Sequence, residues 1–110
     1  MWIFTTSGFV SAVSNPDGTI KVRARDQASL EPLSKIYELE IAHTPIADYP
    51  YRLEISAKNF ADWVSDQARN IDYRNFKSAV AIHRSRLFAR ALGQVWSVMH
   101  EVEDKTARLR

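Results

Sequence analysis

Apolar residues fall on alternate positions at Val10 and Ala12, and again at Ile20, Val22 and Ala24, on either side of Asn15-Pro16-Asp17-Gly18. Proline presets φ and glycine accepts a positive φ, so this pattern predicts two antiparallel strands joined by a turn. The first strand is expected to run back through the apolar start, residues 1–10. In the second, Lys21, Arg23 and Arg25 share the face opposite Ile20, Val22 and Ala24, because side chains alternate along a strand. Leu39 to Ala42 reads as a brief third strand, and the two prolines of Thr44 to Pro50 mark a loop. Tyr51, Leu53 and Ile55 then alternate with Arg52 and Glu54, predicting a fourth strand that sets Glu54 against the basic face.

Between and after the strands the period changes from two to three or four. Asp26 is expected to cap a short helix with Leu30, Leu33, Ile36 and Tyr37 on one stripe, its start delayed or kinked by Pro32. Ser56 is the natural cap of a helix carrying Phe60, Trp63, Val64 and Ala68 on its sheet-facing side and ending near Asn70. Asp72 is expected to cap a third, short helix with Phe76 and Val80 inward. A longer one follows, on which Phe88, Leu92, Val95, Met99 and Val102 form a stripe beside Trp96. The order β-β-α-β-β-α-α-α predicts a single α+β domain over residues 1–110: an antiparallel sheet of about four strands covered mainly on one face by helices. Asp104 to Arg110 is expected to be a frayed polar tail.

With 110 residues, 45% of them apolar, the chain suits one core and is too short for two. It has no cysteine, which excludes disulfides, thiolate metal sites and cysteine nucleophiles and suits a cytoplasmic protein. The start reads as a strand and not as a signal peptide, and no segment approaches the ~20 apolar residues of a membrane span. His43, His83 and His100 lack the close spacing of metal ligands. There is neither a nucleophile elbow nor a glycine-rich phosphate loop, so no cofactor and no enzymatic activity are expected.

Charge changes the picture more than composition does. From Arg69 to Arg90 the chain carries Arg69, Arg74, Lys77, Arg84, Arg86 and Arg90 against one acid, Asp72, although the formal net charge is only +2. Such a segment fits an acidic protein partner or a phosphate backbone. Two mixed clusters, Asp48, Tyr49, Tyr51 and Arg52 on the proline-bounded loop and Asp72, Tyr73 and Asn75 at a helix start, hold the residue types of a polar pocket. Each also has a structural use: Asp72 as a cap, Tyr49 and Tyr73 as lids over the core. Trp2 and Phe4, if they project from an edge strand, make an apolar patch suited to a partner or a homodimer.

Five stretches, Met1 to Ser11 (MWIFTTSGFVS), Val22 to Arg25 (VRAR), Ala47 to Arg52 (ADYPYR), Ile71 to Lys77 (IDYRNFK) and Val95 to Met99 (VWSVM), together resemble a family of small uncharacterised bacterial and phage proteins. The resemblance spans nearly the whole domain. It implies a compact cytoplasmic protein of the kind found among accessory regulators and inhibitors, and it brings no catalytic residue or substrate. The resulting expectation is a non-enzymatic interaction or regulatory protein that binds a protein partner through Arg74, Lys77, Arg84, Arg86 and Arg90. The alternative is a sequence-nonspecific DNA or RNA binder using the same surface.

Overall fold

The computed structural model describes residues 1–104, so most of the expected polar tail lies outside the described residues. Strands β1 (Trp2–Thr5), β2 (Gly8–Ser14) and β3 (Ile20–Ala24) lead into a 3-10 turn at Gln27–Ser29 and helix α1 (Glu31–Tyr37). Strands β4 (Ala42–His43) and β5 (Tyr51–Ile55) follow, then helices α2 (Ala57–Arg69), α3 (Phe76–His83) and α4 (Arg86–Val98), and a closing 3-10 turn at Met99–Val102. The sheet is antiparallel with the order β1-β2-β3-β5-β4, and the fold is α+β as expected.

The strand count is five instead of four because the first strand is a hairpin. Thr5 pairs with Gly8 across Thr6 and Ser7, and the Ser7 amide donates to Thr5 Oγ1 at 3.1 Å. Gly8 leaves this turn at φ 151°, a conformation L side chains rarely adopt, which ties the reversal to glycine. The second hairpin turns at the predicted place. Asp17 accepts from the Thr19 hydroxyl at 2.6 Å and the Thr19 amide at 3.0 Å, and these bonds, the hydroxyl first, hold its carboxyl below the usual pKa. The bonds to the charged carboxylate are present at neutral pH and fade as pH falls through that lowered value.

One sheet face carries the core. Val10, Ala12, Val22, Ala24, Leu53 and Ile55 pack with Leu30 and Leu33 from the α1 region and with Phe60 and Trp63 of α2. Burying each of the larger of these side chains contributes roughly 1.5–3 kcal/mol before entropy is set against it. The α2 cap is as predicted, Ser56 Oγ accepting from the Asn59 amide at 3.1 Å. Pro32 sits in the first turn of α1, where a missing N–H costs nothing, so it starts the helix without kinking it. Ile36, expected on the buried stripe, is 61% exposed.

Helix α1 ends on Glu38 at φ 54°, the one non-glycine residue with positive φ among the described residues. A glycine there escapes the Cβ clash. Glu38→Gly is therefore expected to stabilise the fold by roughly 0.5–1 kcal/mol, read as a raised melting temperature, and an unchanged or lowered one contradicts it.

Asp72 does not cap α3. Asn75 does, its Oδ1 accepting from the Ser78 amide at 2.9 Å, while Asp72 is exposed. The reason lies in the route of the chain. Helix α2 packs on the core face whereas α4 lies over the other, so residues 70–75 are consumed in crossing the β1 edge. There Asn70, Ile71 and Tyr73 line a small hollow with Ile3, Thr5 and Ala68. This crossing also shields part of an edge strand that would otherwise invite pairing.

Candidate functional site

The second sheet face is aromatic at one end and basic at the other. Register places Phe4 opposite Phe9 and Trp2 opposite Ser11, so Trp2, Phe4 and Phe9 point away from the core that takes Ile3 and Val10. Phe4 and Phe9 stack with ring centroids 4.7 Å apart, and Trp2 meets Phe9 edge to face at 5.7 Å. Helix α4, capped by Ser85 through the Phe88 amide at 3.0 Å, faces this cluster with Phe88, Leu92 and Val95.

The helix does not close on the sheet. A cavity of about 410 Å³ separates them, walled by Trp2, Phe4, Phe9, Tyr49, Phe88 and Leu92. A second, of about 380 Å³, adjoins it through shared Phe4, Leu92 and Val95 and extends to Arg74, Asn75, Phe76, Lys77 and Trp96. Phe88, Leu92 and Val95 of the predicted stripe thus form a wall of an open cleft: Leu92 is buried, but Val95 is 40% and the adjoining Trp96 60% exposed, and Met99 beyond them is 55% exposed. The α-helix also stops at Val98, leaving Val102 exposed on the 3-10 turn.

The expected basic surface divides into two parts. Arg74 and Lys77 line the cleft, with the Lys77 ammonium 4.6 Å from the Trp96 ring centroid. Arg86 and Arg90 are exposed on α4 and make no ion pair among the described residues. Arg84 is drawn inward instead. Its guanidinium bonds the Ser7 carbonyl at 2.6 Å, pairs with Asp26 and lies over the Phe88 ring at 4.7 Å. Its role is to tie the α3–α4 junction to the β1–β2 turn. The partner it finds, Asp26, was expected to cap the first helix but makes no capping bond.

The two mixed clusters do not combine into one pocket. Asp48, Tyr49 and Arg52 line a hollow with Lys21 and Arg23, whereas Asn75 and Tyr73 line separate cavities near β1. Tyr51 lies against the core and stacks on His43 at 4.4 Å. Asp72 lines none of the described cavities. Glu54 stands directly opposite Lys21, yet its carboxylate is held by the Asn15 amide and not by a cation of the basic face.

Among the described residues no three His, Asp or Glu side chains gather closely enough to hold a metal, and no helix is long and apolar enough to cross a membrane. Comparison with protein-family models, with curated proteins and with solved structures returned no match. The sequence pattern predicted Phe88, Leu92 and Val95 as one apolar stripe but not the open space beside it. The signal that finds the cleft is the alternation in β1 and β2, which sends Ile3 and Val10 to one face and Phe4 and Phe9 to the other.

Proposed function

We infer that the protein is a non-enzymatic interaction module that holds an acidic, amphipathic segment of a protein partner in the cleft between α4 and the aromatic sheet face. The observation that carries this reading is the open apolar cleft with its cationic rim. Trp2, Trp96, Val95 and Met99 leave large apolar surface in water, which single domains ordinarily cover. Arg74 and Lys77, which line one end of the cleft, favour carboxylates on whatever enters. A helix laid in such a groove buries its apolar face and keeps its acids at the rim.

The test is selection from random displayed peptides. Enriched sequences are expected to combine bulky apolar anchors with Asp or Glu, and to bind about tenfold or more weakly to Val95→Asp and to Lys77→Glu. Binding should survive raised salt in part, since its centre is apolar. The reading fails if the enriched peptides lack acids or ignore both substitutions. A nucleic-acid function takes its place if oligonucleotides bind instead, with steep salt dependence and loss on Arg86→Glu/Arg90→Glu.

A further inference from the structure

Beyond Tyr49, outside the apolar cleft, the same sheet face gathers cations that the fold itself does not neutralise. Lys21, Arg23 and Arg52 line one open hollow of about 410 Å³ together with Thr44, Ala47, Asp48 and Tyr49. Arg23 and Arg52 stand directly opposite each other on β3 and β5, an arrangement of like charges that is destabilising in a sheet unless something offsets it. Among the described residues none of the three has a carboxylate within ion-pair distance.

The bonds these side chains do make are to neutral groups. Arg23 Nη2 donates to Ser11 Oγ at 2.8 Å and Arg52 Nη1 to Thr44 Oγ1 at 2.6 Å. Arg23 Nε is buried with no acceptor, a costly state for a charged donor. The Tyr49 ring lies 4.5 Å from the Arg23 guanidinium and 4.7 Å from that of Arg25. Asp48, the acid on the rim, is already bonded to Arg25 at 3.0 Å. Arg25 therefore holds the acid, while Lys21, Arg23 and Arg52 remain as unneutralised donors around one concavity.

The geometry points to an oxyanion site on this face, with Lys21, Arg23 and Arg52 as its donors and a phosphate-type group as its ligand. The anion balances the like charges of the Arg23/Arg52 pair. Two guanidinium groups and an ammonium match the multiple oxygens of a phosphate better than they match a single carboxylate. The site is separate from the α4 cleft, and Tyr49 is the wall common to both.

Calorimetric titration with inorganic pyrophosphate, at ionic strength held constant with chloride, tests the assignment. Wild type is expected to bind, and both Arg52→Gln and Lys21→Gln to bind about tenfold or more weakly, the loss of one charge-assisted bond. Lys21→Gln serves as the second variant because the Lys21 side chain makes no hydrogen bond or ion pair among the described residues, and circular dichroism verifies that each variant is folded. Arg86→Gln on α4 should bind as wild type does. A parallel arm with a nucleoside monophosphate separates the sources: equal binding assigns a bare-oxyanion site, and tighter binding a phosphate ester. No binding of either ligand, or an equal loss in Arg86→Gln, overturns the proposal.

Discussion

Gly8→Ala is expected to destabilise the protein by about 3 kcal/mol, a fall in melting temperature on the order of 15 °C. Two costs combine at this position. The backbone is held at φ 151°, where a Cβ is strained whatever space surrounds it. The space is also taken: an added Cβ would meet Ser29 Oγ, lie 2.7 Å from Arg84 Nη1 and 2.9 Å from Ser29 Cβ. Neither neighbour is free to retreat. Ser29 is buried, accepts from the Phe9 amide at 3.2 Å and bonds Asp26, while Arg84 bonds the Ser7 carbonyl and Asp26. Gly18 provides the control, because its φ of 88° is also positive but nothing lies within 4 Å of a Cβ there. Thermal melts should show Gly8→Ala losing clearly more than Gly18→Ala, and equal losses contradict the packing argument.

Trp63→Ala is expected to cost about 4 kcal/mol, close to the whole stability of many domains of this size. Trp63 is 2% exposed, lies 5.8 Å from the Phe60 ring and fills the space between α2 and the sheet. The indole Nε1 is buried without an acceptor, so this residue already carries a desolvation cost. Trp63→Phe removes that unpaired donor along with part of the volume, and it is expected to lose no more than about 1.5 kcal/mol. Urea unfolding of both variants at unchanged m separates the two terms. A Trp63→Phe loss as large as that of Trp63→Ala would show that the indole nitrogen has a partner. Because Trp63 lies on the core face, Trp63→Phe should leave cleft binding unchanged.

The local patterns were legible where the signal and the structure share a short range. Asn15 to Gly18 turns the chain, Ser56 caps α2, and Phe60 and Trp63 face the sheet, each following from a few neighbouring residues. Thr6 and Ser7 carry weaker turn chemistry, so β1 and β2 read as one strand until the φ of Gly8 identified the reversal. The choice between Asp72 and Asn75 was not local, since both are good caps and the length of chain needed to round β1 decides between them. Periodicity placed Phe88, Leu92 and Val95 on one face of α4 but carries no information about the distance to the surface opposite. That distance depends on the crossing at residues 70–75 and on the tie from Arg84 to Asp26, across 58 positions in the chain. The basic segment was visible as charge, yet which of its members are exposed depends on that same long-range tie.

These parts together describe a small α+β scaffold with one closed sheet face and one open one. The core side of the sheet supplies stability through Val22, Leu53 and Trp63. The other side presents an apolar cleft under α4 and, beyond Tyr49, the cations Lys21, Arg23 and Arg52, which make no ion pair among the described residues. The residues that build the core and those that line the cleft and the hollow thus lie on opposite sides of the same strands.

The most direct test of the cleft is to titrate the isotopically labelled protein with its best selected acidic peptide and follow the amide and indole chemical shifts. The account predicts the largest changes at Phe4, Phe9, Phe88, Leu92, Val95 and the Trp96 indole. Changes confined to α2, or to the Lys21 and Arg52 hollow, would contradict it.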